Sequence, residues 1–317
     1  MTKKELVRKL SYGAGRVGIG LCDGAARIVP LSFLYGFARA MAFCGFRLAR
    51  RHRNIAMESL ALAFGDEKSP EEIRAIGQEC FYSMAGMAVE FFMFMKHPAR
   101  IRKFVGIEGL ENLDAALKKG RGVVAVSAHF GSFPLLLSRL AQEGYRVHSI
   151  LRHMRDESLD KLFEGKRNAM KVGSVYTQPR QECVSQSLRV LRQNEVLFVQ
   201  LDQNFGTGGI FVDFFGVKAA TATGPIIFSL RTGAPLVPMF IRRIEGPRHQ
   251  IEILPPLEIS PSGNKDEAVF KIVQELTNII EGYIRKYPHE WGWIHKRWKA
   301  RPKNINKGEE FRADVLT

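Results

Sequence analysis

The chain has 317 residues, enough for one large α/β domain or two small ones, and 45% hydrophobic residues can supply a sizeable core. Lys plus Arg number 47 against 32 acids, a net charge of +15, which points to an anionic membrane surface, an acidic protein or a nucleic acid. Nucleic acid is set aside, because no zinc-ligand spacing, aromatic RNA-binding motif or concentrated basic tract accompanies the charge.

Residues 18–46 come first in chain order and are rich in apolar residues, with Asp23, Arg27 and Arg39 interrupting them. The longest uncharged piece, residues 28–38, is too short for a bilayer core that needs ~20 apolar residues. No small-residue cleavage site marks a signal peptide. Lys3, Lys4, Arg8 and Lys9 precede the stretch, and Arg47, Arg50, Arg51 and Arg53 follow it. Residues 1–50 are therefore expected to form a membrane-associated segment with a helix in the headgroup region. A tilted span and an ordinary helix docked on the domain are the alternatives. Cys22, Cys44, Cys80 and Cys183 lie far apart and read as reduced thiols, not a disulfide framework.

Residues 54–66 have helical spacing, and Ser69-Pro70-Glu71-Glu72 starts a further helix with a cap, a first-position proline and two acids. That helix runs into MAGMAVEFFMFM (84–95), which fits a core or an apolar groove equally well. Strands are expected at 123–129, 146–152, 196–202, 234–243 and 249–256. Helices at 134–142, 157–172, 181–193 and 221–232 separate them, and one at 265–287 closes the domain. Alternation of this kind predicts an α/β domain over 51–317, with a mainly parallel sheet flanked by helices. The last strand is expected to pair antiparallel at an edge.

His129 follows the first of these strands, at the sheet edge where open α/β sheets hold their ligands. Its imidazole can take and return a proton near neutrality. Arg152 and Asp202 end two other strands at the same edge, with Gln203 next in sequence. The Arg152 fork suits a phosphate, and Arg155 is a weaker second candidate. Residues 206–209 are glycine-rich but lack the Lys-Ser/Thr of a phosphate-binding loop, so no nucleotide is expected, nor any cofactor or metal. Thr223 stands at a helix start whose free N–H groups could hold an anion. His295, Lys296, Arg297, Trp298, Lys299 and Arg301 form a basic-aromatic cluster. It reads as a contact for a phosphorylated headgroup through Arg297, or else as a packed tryptophan core. Ser127, Ser132 and Cys183 sit in no G-x-S-x-G elbow, which argues against a covalent intermediate.

Several blocks resemble one family in the right order. His129-Phe130-Gly131-Ser132-Phe133 is similar to the HxGNWE block of the lipid A biosynthesis (lauroyl/myristoyl-type) acyltransferases, in the lysophospholipid acyltransferase superfamily. LDQNFGTGGIFVDFFGVKAATATGPIIFSLRTGAPLVPMFIRR (201–243) and PHEWGWIHKRWKARP (288–302) resemble two further family signatures, and the segment from Arg50 resembles a fourth.

The resemblance implies a glycerolphosphate-acyltransferase-like fold at the cytoplasmic face of the inner membrane. It implies transfer of a fatty acyl group from acyl carrier protein or acyl-CoA to a hydroxyl of a lipid A-like glycolipid or a lysophospholipid. His129 would be the general base, and Gly131, Ser132, Phe133, Arg152, Gln203, Thr223 and Arg297 would contact substrate. Backbone N–H groups near Gly131 and Ser132, with Arg152, are the expected oxyanion donors. Three positions depart: the family's Asn and Trp are here Ser132 and Phe133, and its acidic partner of the histidine is Pro134. Asp202 is the expected replacement if its strand neighbours that of His129, an order the sequence leaves open. The rival reading is a lipid-binding member of the fold that no longer catalyses transfer.

Overall fold

Seven strands form one sheet in the order β1 (Val105–Glu108), β9 (Arg248–Ile253), β8 (Leu236–Glu245), β2 (Val123–Ser127), β5 (Val196–Gln200), β3 (Val147–Leu151), β4 (Val172–Tyr176). The computed structural model describes residues 29–96, 98–258 and 264–302, together with Gly13, Gly20 and Gly24. Every pairing is parallel except β8 with β9. The strand expected at an antiparallel edge is indeed antiparallel to β8, but β1 covers its other side, so β9 is internal.

Alternate residues of the central strands feed two cores. Val123, Ala125, Val196 and Phe198 pack on one face, and Val124, Val126, Leu197 and Val199 on the other. All five residues of β2 are buried, as a parallel strand covered by helices on both sides requires. Helix α5 (Phe133–Gln142) covers the first face with Leu135, Leu136, Leu137 and Leu140. Helix α9 (Lys265–Lys286) covers the second with Val269, Ile272, Val273, Leu276 and Ile280. The remaining connections are α4 (Leu110–Leu117), α6 (Glu157–Ala169), α7 (Arg180–Arg192) and α8 (Gly224–Thr232).

Two element expectations are corrected. Residue 172 starts strand β4 and does not end a helix; Lys171, at φ 58°, makes the turn between α6 and that strand. Residue 221 does not start a helix, because Thr221 pairs with Ile210 in the hairpin β6 (Ile210–Phe214) and β7 (Val217–Thr221). The two-residue hairpin turn places Phe215 at φ 55° and Gly216 at φ 70°. A left-handed phenylalanine is costly, and its burial against Phe64, Trp293 and Trp298 offsets the strain.

Three helices precede the sheet: α1 (Leu31–Leu48), α2 (Arg50–Phe64) and α3 (Pro70–Lys96). Ser69 and Glu72 cap α3 reciprocally: the Glu72 N–H donates to Ser69 Oγ at 3.2 Å, and the Ser69 N–H donates to the Glu72 carboxylate at 2.8 Å. Helix α1 buries Leu34, Ala38, Ala42 and Phe46 and leaves Phe33, Phe37, Met41 and Leu48 exposed. A buried ionic cluster ties it down. Tyr35 donates to Glu90 on α3 at 2.5 Å, and Arg243 of β8 also bonds Glu90. The N-terminal expectation falls partly on residues 1–28, outside the described residues apart from Gly13, Gly20 and Gly24. Among the described residues, no helix is long and apolar enough to cross a membrane.

Candidate active site

Because β2 is buried along its whole length, the first side chain free to meet solvent is His129, just past the C-terminal edge, which keeps about a quarter of its surface. The following turn is enforced by Gly131: φ is 54°, and a Cβ there would lie 2.0 Å from the Ile241 carbonyl oxygen. The chain's C-terminal part then clamps the turn. Gly292 donates to the His129 carbonyl at 3.2 Å, Gly131 donates to the Glu290 carbonyl at 2.9 Å, and Phe130 and Trp291 form an antiparallel bridge. The Gly131 amide is therefore spent on Glu290, which corrects its expected role as an oxyanion donor. Ser132 precedes α5 with its hydroxyl buried and unpartnered, and Pro134 lies in the first turn, where its missing N–H costs nothing.

Strand β5 lies directly beside β2, with Ser127 level with Gln200. Two residues on, the same register brings Asp202 to His129, so the neighbour relation the sequence left open holds. Asp202 Oδ1 is 2.9 Å from His129 Nδ1. Its Oδ2 accepts the His129 backbone N–H at 3.0 Å and the Trp291 indole N–H at 2.7 Å. Burial alone would raise this carboxyl, but the adjacent imidazole and the three donors win and hold it down to about 2. Stability linked to this depressed carboxylate is present above its ordinary range and drains away as pH falls from about 4 to about 2. A carboxylate acceptor on Nδ1 fixes the tautomer that leaves a lone pair on Nε2. The Gln203 amide nitrogen sits 3.1 Å from that Nε2, a donor in the place where a substrate hydroxyl would approach.

Phe133 packs edge-on to the imidazole, with ring centroids 5.7 Å apart. The His295 ring is tilted against it with centroids 5.6 Å apart, and burial followed by repulsion from His129 lowers its own pKa. Arg152 is exposed just past β3 at the same sheet edge. Thr223 precedes α8 with no side-chain cap bond.

Arg297 requires correction as a headgroup contact. It is 1% exposed and donates to the carbonyls of Gln203 and Ala220 and to Thr221 Oγ1. Burial brings it down to about 10, with the Asp202 charge opposing that fall. It is the internal strut holding the Asp202-Gln203 loop against the β6–β7 hairpin. All three tryptophans are likewise buried, so the packed-core alternative describes this segment. Sequence reasoning missed Trp291 as a partner of Asp202; its only signal was the resemblance of 288–302 to a family signature.

An imidazole oriented by a buried carboxylate at the C-terminal edge of a parallel sheet is an arrangement that can take a proton from a substrate hydroxyl. Among the described residues no serine or cysteine hydrogen-bonds His129. The family described as "Bacterial lipid A biosynthesis acyltransferase" matches residues 1–300, and the chain belongs to it: this is an acyltransferase. It is 28% identical over 262 residues to the lipid A biosynthesis palmitoleoyltransferase of Escherichia coli, covering 80% of each chain. It is 25% identical over 293 residues to the lipid A biosynthesis lauroyltransferase of Escherichia coli, covering 91% of this chain and 92% of the relative. The phosphatidylinositol mannoside acyltransferase of Mycobacterium tuberculosis is 28% identical over 198 residues, covering 61% of this chain and 60% of its own. Membership of this family entails an acyl donor and a lipid acceptor.

Proposed function

We propose that the enzyme moves a fatty acyl group from an acyl carrier protein or CoA thioester to a hydroxyl of a glycolipid or lysophospholipid, with His129 as general base. The observation that carries this reading is the His129–Asp202 pair, whose Nε2 faces the substrate side. The acceptor hydroxyl displaces the Gln203 amide and gives its proton to Nε2, and its oxygen attacks the thioester carbonyl. The tetrahedral oxyanion collapses, the C–S bond breaks, and the imidazolium returns the proton to the leaving thiolate. Asp202 stabilises the imidazolium in between. With the Gly131 amide engaged, the Leu135 N–H bonded to the Ser132 carbonyl and no N–H at Pro134, the oxyanion falls to the Phe133 N–H at the start of α5, where the helix dipole favours negative charge. The relatives' names, which include lipid A and phosphatidylinositol mannoside acylation, support a glycolipid acceptor.

The lipid-binding alternative rested on the loss of an acid at Pro134, and Asp202 removes that reason. Purified enzyme given radiolabelled acyl carrier protein and acyl-CoA thioesters with extracted lipids is expected to label a glycolipid or lysophospholipid band. Hydrolysis of neither thioester, and no labelled lipid from either donor, would leave the binding reading standing.

The same proposal places the enzyme at the cytoplasmic face of the inner membrane. The support is α1, which turns Phe33, Phe37, Met41 and Leu48 outward. Arg47, Arg50, Arg51 and Arg53 cluster at its C-terminal end, suited to anionic headgroups. Each buried apolar side chain of this size is worth about 1.5–3 kcal/mol. Phe33→Glu with Phe37→Glu and Met41→Glu is therefore expected to weaken binding to phosphatidylglycerol vesicles by at least about tenfold. The fold should survive, because these side chains make the exposed stripe of the helix. Vesicle binding equal to wild type would move the membrane contact elsewhere.

A further inference from the structure

The register that joins His129 to Asp202 continues one strand further. Strand β3 pairs with β5 as Val147 with Val196 and Ser149 with Phe198. Strand β3 thus lies on the far side of β5 from β2, and His153 follows its end at the C-terminal edge that also carries His129 and Asp202.

His153 is held as firmly as the catalytic histidine. Its Nδ1 lies 2.6 Å from Asp160 Oδ2, and the other Asp160 oxygen accepts the Met154 N–H at 3.0 Å. Against the upward push of desolvation, these bonds keep the Asp160 carboxyl below its usual range. The ring lies flat on Tyr176, with centroids 3.7 Å apart and planes 8° from parallel. Tyr176 is anchored in turn, because Arg167 donates to its hydroxyl at 3.1 Å and to Ser174 Oγ at 2.9 Å. A ring fixed on one face and at Nδ1 still leaves Nε2 without a hydrogen bond among the described residues, and 55% of the side chain is exposed. On either side in sequence, Arg152 and Arg155 are exposed and form no ion pair among the described residues.

We infer that His153, with Arg152 beside it, forms an anion subsite that holds a phosphate group of a substrate at the sheet edge that carries the reacting hydroxyl. An imidazole held at Nδ1 presents its Nε2 lone pair to the P–OH of a phosphate monoester, and the guanidinium fork beside it matches the phosphate in charge and geometry. The ring needs no such scaffold to staple the loop, since Asp156 already caps α6 through the N–H groups of Ser158 and Leu159. The phosphate can come from a phosphorylated lipid acceptor or from the phosphopantetheine arm of the donor. This inference rests on the acyl-transfer reading for its substrate, though not for the anion site itself.

The test has a binding arm and a kinetic arm. The whole protein is titrated with inorganic phosphate while histidine ring resonances are followed by NMR, with His153→Gln used for assignment. The His153 signal is expected to shift saturably, and Arg152→Gln, which breaks no hydrogen bond in the structure, is expected to raise the apparent Kd about tenfold. A His153 signal that does not move with phosphate overturns the subsite. In the kinetic arm, His153→Gln and Arg152→Gln are assayed with a phosphorylated acceptor, its dephosphorylated counterpart and each thioester donor. A KM increase of about tenfold that is confined to the phosphorylated acceptor assigns the phosphate to the lipid. The same increase confined to the donor assigns it to the phosphopantetheine. Equal losses with phosphorylated and dephosphorylated acceptors, and unchanged donor KM, would mean a purely structural role and overturn the inference. Absence of transfer by the wild type counts against the acyl-transfer reading, while the phosphate titration still decides the site.

Discussion

Replacing His129 by alanine is expected to lower acyl transfer by about 10²–10⁴-fold, the range over which a positioned general base accelerates proton transfer. The acceptor hydroxyl is then left with water alone to take its proton, and the buried Asp202 charge has no imidazolium to stabilise. The loss should fall on kcat more than on KM for the thioester, because the imidazole acts on the attacking oxygen. Folding should be kept, since the backbone N–H of residue 129 and the Trp291 indole still hold Asp202 Oδ2. Turnover within about threefold of wild type, in a variant with an unchanged melting curve, removes His129 from the chemistry.

Asp202→Asn is expected to cost nearly as much, for a geometric reason. In the wild type both carboxylate oxygens accept: Oδ2 takes two N–H groups that cannot rotate away, and Oδ1 takes Nδ1–H. An amide offers one acceptor and one donor end. The two fixed donors force its oxygen to the Oδ2 position, so its NH₂ meets His129 Nδ1. The ring must then carry its proton on Nε2, which is the wrong tautomer for a base. A fall of about 10³–10⁴ in kcat is expected, the scale seen when a catalytic histidine is held in the wrong tautomer. Asp202→Ala leaves the tautomer free and should be the less damaged of the two. A kcat for Asp202→Asn equal to wild type would leave the carboxylate a structural buried ion only.

The strand-turn-helix around His129 was legible because its signals were local: four small or β-branched residues, a glycine and a leucine-rich helix. The three strand ends at one edge were legible for the same reason. Strand β4 was not, since Gly173 and Ser174 break up its strand-favouring Val172, Val175 and Tyr176, which is too little to separate it from the end of α6. The hairpin after residue 209 was hidden by Phe215, whose left-handed backbone has no residue signal and is held by distant aromatic packing. Arg297 and the tryptophans misled for a related reason. A run of cations and indoles looks like a surface contact, and only the tertiary arrangement shows that Ala220, Thr221 and Gln203 accept those guanidinium protons. The pairing of His129 with Asp202 needed the strand order, which is a property of the whole sheet.

The clamp of residues 290–292 on the histidine turn also has a consequence for synthesis. His129 emerges from the ribosome more than 160 residues before Trp291, yet the turn that carries it lacks its bridge, and Asp202 lacks its indole donor, until that tail has been made. A nascent chain can assemble β2 and β5 while its histidine remains loosely held. Catalytic competence would thus arrive only once residues 290–292 have been made and have closed on the turn.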